Sequence, residues 1–77
     1  MYKYVKMYPN PNNGNVLFFE LSKNAEITIF NILGKKIKSV NLTSAKKSVD
    51  ISHLTKGVYL VKIDSAKESI TKKLIKN

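Results

Sequence analysis

The sequence predicts an all-β fold, an antiparallel sandwich of about seven short strands. Short apolar runs alternate with polar residues, and turn-forming residues recur about every eight to twelve positions. No segment has the apolar spacing of an amphipathic helix. A small closed barrel is the alternative, because it would show the same strand pattern.

The densest β-forming run is at residues 58–63, directly after Gly57. Glycine takes a positive φ without steric cost, so Gly57 can end a turn and begin the strand. Such a strand, apolar on both faces, is typical of a central strand or of one covered on both sides. Side chains alternate along a strand, which places Tyr59, Val61 and Ile63 on one face and Val58 and Leu60 on the other.

The other strands are shorter, and their connections carry clear turn signals. Gly34 is predicted to take a positive φ in a hairpin turn at residues 33–36. The phase slip near Phe30 predicts a bulge or a strand end covered on both faces. Residues 52–57 leave room for one helical turn with Leu54 as its apolar contact. The predicted strands besides 58–63 are residues 2–8, at an edge, and residues 15–22, 25–33, 36–42, 48–52 and 69–76.

Composition limits the classes of function. The chain has 77 residues, enough for one small domain, and its net charge is +9 with every basic residue a lysine. The lysines are scattered, and no arginine can make a bidentate phosphate contact, so a solvated surface is favoured over a nucleic-acid footprint. There is no cysteine for a disulfide or thiolate metal site. No apolar run suits a signal peptide or a membrane span, and membrane insertion is not expected.

No constellation of side chains predicts catalysis. His53 is the only histidine, and with Ser52 and Asp50 it has the composition of a catalytic triad. These residues share one short stretch, and nothing supplies a separate nucleophile elbow or oxyanion site. The acidic residues are dispersed, and the three glycines form no phosphate-binding loop. The sequence predicts no enzyme, no metal site and no cofactor.

Four motifs stand in order along nearly the whole chain and resemble one known family. The motifs are Tyr8-Pro9-Asn10-Pro11 followed by Gly14, then residues 29–37 (IFNILGKKI), residues 51–63 (ISHLTKGVYLVKI) and residues 72–75 (KKLI). Together they resemble the type A C-terminal sorting domain of proteins exported by the type IX secretion system of Bacteroidetes. One departure is Phe30-Asn31, where that family often has Tyr-Asp.

The resemblance implies both a fold and a function. The fold would be an immunoglobulin-like antiparallel β-sandwich, and residues 1–77 would be a single C-terminal sorting domain separated from a larger exported protein. The cargo upstream would reach the periplasm on a signal peptide. The outer-membrane translocon would then recognise the sorting domain there. A sortase-like peptidase would usually remove the domain, and the cargo would stay on the cell surface or enter the medium.

The resemblance also implies which residues serve recognition. Translocon recognition is expected on the terminal strand, whose exposed edge could pair with a partner while its lysines approach an acidic groove. That expectation covers Lys72, Lys73, Leu74, Ile75 and Lys76. The family-motif residues are Pro9, Asn10, Pro11, Gly14, Gly34, Leu54, Gly57, Val58 and Tyr59.

Two other classes of function remain as alternatives at the level of sequence. A basic β-domain that binds single-stranded nucleic acid needs aromatic residues beside lysines on one face. A carbohydrate-binding sandwich needs a planar row of exposed aromatic residues. The aromatic spacing does not clearly provide either arrangement, so no nucleic-acid partner is expected.

Overall fold

The computed structural model describes residues 6–20, 24–43, 47–66 and 68–77. In these ranges the chain forms strands and no helix, so none of their segments could cross a membrane as a helix. The predicted strand positions 2–5 and 21–22 lie outside the described residues. The strands are β1 (Lys6–Tyr8), β2 (Val16–Glu20), β3 (Ala25–Asn31), β4 (Lys36–Leu42), β5 (Ser48–Asp50), β6 (Gly57–Asp64) and β7 (Ser69–Lys76).

The strands form two antiparallel sheets, in the orders β1-β2-β5 and β4-β3-β6-β7. The two sheets and their shared core confirm the predicted immunoglobulin-like sandwich rather than a closed barrel. β1 lies at an edge, as its short alternating sequence predicts. In a constant-type immunoglobulin domain the fourth strand lies beside the fifth, whereas here β4 pairs with β3.

The core lies between the sheets and comes from alternate residues of their facing sides. Pairing in register places opposite residues on the same face, so Ile27 packs in one layer with Val40 and Ile63. The buried apolar residues form one cluster: Leu17, Phe19, Ala25, Ile27, Ile29, Leu42, Val49, Ile51, Leu54, Tyr59, Val61, Ile63 and Leu74.

β6 is a central strand, with β3 on one side and β7 on the other. The side chains on its inner face are buried, as predicted. The sequence offered two explanations for its apolar outer face: a central position in the sheet, or a second layer that covers the strand. The central position is confirmed, and the covering layer is absent from the described residues. Val58 and Leu60 are 37% and 38% exposed, because no other described element packs over this side of the sheet.

The β3–β4 hairpin contains both the bulge and the glycine turn that the sequence predicts. Ile29 lies opposite Lys38 and Phe30 opposite Lys36, which leaves Ile37 of β4 as the extra residue. Gly34 has a φ of 89°, which its missing Cβ permits.

The turn before β6 is held by the side chain of Tyr59. Its hydroxyl donates to the Thr55 carbonyl oxygen over 2.7 Å, as in the tyrosine corner of immunoglobulin-like sandwiches. Leu54 is buried beneath this turn, and its N–H donates to the Ile51 carbonyl. The segment is thus a hydrogen-bonded turn and does not become a helical element. Gly57 follows it with a φ of 152°, which confirms its predicted positive φ.

Replacing Tyr59 should separate its packing from its hydrogen bond. Tyr59→Ala empties a core position and should lower the free energy of unfolding by about 3–5 kcal/mol. Tyr59→Phe keeps the ring and loses the bond to Thr55, at a cost of about 1 kcal/mol. Urea denaturation of both variants measures the difference, and equal stabilities would contradict a packing role for the ring.

Gly57 should tolerate a Cβ less well than Gly14 does. A Cβ on Gly57 meets no atom within 4 Å, so the cost of Gly57→Ala is backbone strain, about 1–3 kcal/mol. Gly14 lacks a positive φ, and a Cβ added there would lie 3.6 Å from the Asn12 side-chain oxygen, which is an ordinary contact. Denaturant midpoints should therefore fall further for Gly57→Ala, and the reverse order would refute this account.

Candidate functional site at the terminal strand

β7 is an edge strand with one paired side and one outward side. Its ladder with β6 runs from Gly57 opposite Lys76 to Asp64 opposite Ser69. In an antiparallel ladder, alternate residues direct both backbone groups to the same neighbour. The even-numbered residues of β7 face β6, and the odd-numbered ones present their N–H and C=O groups at the outer edge. The prediction of an edge strand is confirmed.

The C-terminal half of this outer edge is closed by residues 9–14, which we call the entry loop. The Asn10 side chain donates to the Lys73 carbonyl at 2.7 Å and accepts from the Ile75 N–H at 3.0 Å. The Asn12 backbone donates to the Ile75 carbonyl at 2.7 Å and accepts from the Asn77 N–H at 2.8 Å. The entry loop thus binds β7 as a short parallel strand, with Asn12 opposite Lys76.

Asn12 holds this loop in shape from a fully buried position. Its side-chain oxygen accepts from the Gly14 N–H at 2.8 Å, closing an Asx turn. Its side-chain nitrogen donates to the Val16 carbonyl at 2.9 Å. Burial of an amide is costly only when its groups lack partners, and those of Asn12 are bonded.

The lysines of β7 do not form one basic patch. Lys76 is only 9% exposed, and its ammonium donates to the Gly14 carbonyl at 2.7 Å. Lys72 is half-buried on the same side of the strand as Leu74, whereas Lys73 is exposed on the other side. Of the recognition residues expected from the sequence, Lys73 is therefore the most accessible, and Leu74 is a core residue.

The N-terminal half of the outer edge is open in the part of the chain that the structure describes. The alternation of the ladder directs the Thr71 N–H and C=O and the Lys73 N–H away from β6. Neither the entry loop nor another described residue bonds these groups. Thr71 and Lys73 are both exposed, so an extended segment could approach them.

The family-motif residues lie around the C-terminal half of β7, on both of its sides. Pro9, Asn10, Pro11 and Gly14 belong to the entry loop, where both peptide bonds that precede proline are cis. Gly57, Val58 and Tyr59 begin β6 and pair with Lys76, Ile75 and Leu74. Leu54 supports that turn from the core, and Gly34 lies in the β3–β4 hairpin.

The Asp50, Ser52 and His53 stretch forms a turn. The Asp50 carboxylate accepts from the Ser52 N–H at 2.9 Å. This bond, with smaller effects from the Ser52 hydroxyl, Lys38 and His53, holds the pKa of the exposed Asp50 carboxyl below its usual value. Ser52 and His53 are exposed, and the described residues contain no group of three potential metal ligands.

The described aromatic residues are divided between the sheets. Tyr8 and Phe18 stack at 5.9 Å on the outer side of the β1-β2-β5 sheet, while Phe30 lies on the other sheet. Tyr2 and Tyr4 lie outside the described residues. The row of aromatic residues that nucleic-acid or carbohydrate binding would need is not present in the described ranges.

The sequence analysis missed the roles of Asn12 and Asn31, whose side chains hold the entry loop and the β3–β4 turn by hydrogen bonds to the backbone. The Asn12-Asn13-Gly14 spacing does predict an Asx turn, because Asn accepts from the N–H two residues later. No local signal shows that the Asn12 side chain will be buried, since the backbone of Asn12 pairs with Ile75 and Asn77, which are distant in the sequence. The same limit applies to Lys76, whose partner Gly14 is 62 positions away.

Replacing Asn12 should loosen the entry loop, whereas replacing its neighbour should not. Asn12→Ala leaves the Gly14 N–H and the Val16 carbonyl without their side-chain partner, which should cost about 1–3 kcal/mol. Asn13 is exposed, so Asn13→Ala is the matched control and should change stability by less than about 0.5 kcal/mol.

Hydrogen exchange locates this effect. The Ile75 and Asn77 amides donate to the entry loop and should exchange faster in Asn12→Ala than in Asn13→Ala. Unchanged protection at both amides would show that the loop does not depend on the Asn12 side chain.

The comparisons with known proteins agree with this geometry. A family model described as the secretion system C-terminal sorting domain matches residues 6–77. The match includes the entry loop, the glycine turns and all of β7. No curated protein matches the chain. The chain therefore belongs to the family of C-terminal sorting domains that act as signals for type IX secretion, which is not a family of enzymes.

Proposed function

We propose that the outer-membrane translocon recognises this sorting domain in the periplasm through β7. As a type IX sorting signal, the domain directs an upstream cargo toward the cell surface or the medium. The observation that carries the proposal is the half-open edge of β7. Its Thr71 and Lys73 groups offer hydrogen bonds to an added strand, and such bonds need no particular cargo sequence.

Two lysines of β7 help to orient the strand in this contact through their charge. Lys73 is exposed and Lys72 half-buried, so both can lie near carboxylates in a groove that receives the strand. Complementary charge raises the rate of encounter and selects the register more than it raises affinity. Lys76 has a structural role, because its bond to Gly14 helps to keep the entry loop against the backbone of Lys73 and Ile75.

The steps after recognition follow from the position of the domain behind its cargo. A sortase-like peptidase would cut before the sorting domain, after which the cargo remains on the surface or is released. In the described part of the chain, β1 comes first and lies at the edge of its sheet. A cut upstream of β1 would leave the sandwich core intact.

A reporter fusion tests the proposed function. A signal peptide, a fluorescent reporter and residues 4–77 should place the reporter on the surface of a bacterium that has type IX secretion. In a bacterium without that system, the reporter should stay in the periplasm. Deletion of residues 71–77 removes the open edge together with the contacts of the entry loop, so the reporter should again remain periplasmic. Normal export of the truncated fusion would exclude β7 as the recognition element.

A charge reversal that preserves the fold separates recognition from stability. Lys72→Glu with Lys73→Glu should change stability by about 1 kcal/mol or less, because Lys73 is exposed and Lys72 keeps part of its side chain in solvent. Export should fall by about tenfold, because the local field is reversed. The matched control is Lys6→Glu with Lys47→Glu, two exposed lysines of the β1-β2-β5 side, which should export normally. Normal export of the Lys72 and Lys73 variant would leave recognition to the strand edge alone.

A further inference from the structure

The tip of the β3–β4 hairpin exposes two large apolar side chains in a fixed conformation. Ile32 is 72% exposed and Leu33 is 89% exposed. The Asn31 side-chain oxygen accepts from the Leu33 N–H at 2.9 Å and from the Lys35 N–H at 3.0 Å. The Asn31 carbonyl accepts from the Gly34 N–H at 2.9 Å. These bonds hold the tip, so the exposure is a property of a defined turn.

The tip continues an apolar area on the outer face of the β4-β3-β6-β7 sheet. Phe30 lies opposite Leu60, and Val58 lies opposite Ile75, so these side chains share that face. The hairpin leaves the sheet at the end where β6 begins and β7 finishes. We call this surface the apolar end, and its residues are Phe30, Ile32, Leu33, Val58, Leu60 and Ile75.

Lysines surround the apolar end, and the acidic residues of the same face lie at the far end of the sheet. Lys36 is opposite Phe30, Lys73 is opposite Leu60, and Lys35 follows the tip. Glu26 of β3 lies opposite Asp64 of β6 at the other end of the sheet. An apolar centre with a basic rim fits a partner surface of the opposite rim charge.

We propose that the apolar end is a second docking surface, which binds a protein pocket that is apolar at its centre and acidic at its rim. Ile32 and Leu33 enter the pocket, and Lys35, Lys36 and Lys73 meet the carboxylates. The turn is already held by Asn31, so little conformational entropy is lost on binding. A protein is favoured over a lipid surface because this set contains no Trp or Tyr, the residues enriched where proteins meet membranes. Lys73 belongs both to this surface and to the open edge of β7. Ile32, Leu33, Lys35 and Lys36 lie outside that edge, so replacing them tests this surface alone.

The test replaces the two tip residues in the reporter fusion. Ile32→Thr with Leu33→Thr should reduce export by about tenfold or more, as expected for central apolar contacts. The purified variant should melt within about 4 °C of the unchanged domain, because the side chains touch little of the core. The matched control is Val16→Thr with Phe18→Thr, which removes two exposed apolar side chains from the other sheet and should export normally. Normal export of the tip variant would overturn the proposal.

Charge and cross-linking identify the kind of partner. Lys35→Glu with Lys36→Glu should also reduce export by about tenfold. Normal export of this variant would show that the partner's pocket has no acidic rim that these lysines contact. Benzoylphenylalanine at position 33 should cross-link in exporting cells to one discrete protein, and the charge reversal should remove the adduct. Failure of the unchanged fusion to reach the surface would refute the proposed sorting function itself, a result distinct from failure of the tip variant alone.

Two further measurements test the alternative partners of the apolar end, a lipid surface and a second copy of the chain. The purified domain is mixed with vesicles of phosphatidylethanolamine and phosphatidylglycerol in a roughly 3:1 ratio and floated on a density gradient. If the unchanged domain floats with the vesicles and the tip variant does not, the partner is a lipid surface and the proposed protein partner is wrong. If the unchanged domain sediments as a dimer and the tip variant as a monomer, the partner is a second copy of the chain. Absence of both supports the proposed protein partner.

Discussion

The hydrogen bonds between the entry loop and β7 are the contact on which the rest of the structure depends. They join Asn10 to Ile75 across 65 positions, so they close nearly the whole described chain into one unit. Closing so long a loop costs entropy, and this chain has no cysteine for a disulfide. The cost is offset by contacts that form together: the edge bonds, the buried Asn12 and the Lys76 ammonium. This contact also covers part of an edge that could otherwise pair with other chains.

The same local device shapes three different loops. Asn12, Asn31 and Asp50 each accept from the N–H two residues later in the chain. At Asn12 the side chain that closes the turn is buried and the backbone bonds β7. At Asn31 the turn presents apolar side chains to solvent, and at Asp50 it leads toward the core residue Leu54. The geometry of an Asx turn is local, but its consequence depends on which element packs beside it.

A sorting domain must be recognised behind many different cargoes, so its recognition features have to be independent of what precedes it. The two proposed recognition features, the backbone groups on a strand edge and the rigid apolar tip, would both meet this requirement. The lysines divide in the same way: Lys73 faces solvent, whereas Lys76 is part of the scaffold. A high net charge therefore does not describe one surface, because each lysine takes its role from its position.

The sequence by itself determined the strand count, most strand positions, the turn glycines Gly34 and Gly57, the core face of β6 and the family. These features are local, since alternation, turn chemistry and motif order are readable within a few residues. Only the tertiary structure decided that β4 joins the sheet of β3, that the outer face of β6 stays uncovered and that Lys76 is buried. It also decided that the entry loop closes half of the β7 edge and leaves Thr71 open. Each of these depends on which distant segments pack together. A local pattern of polar and apolar residues does not specify which distant segment will pack against it.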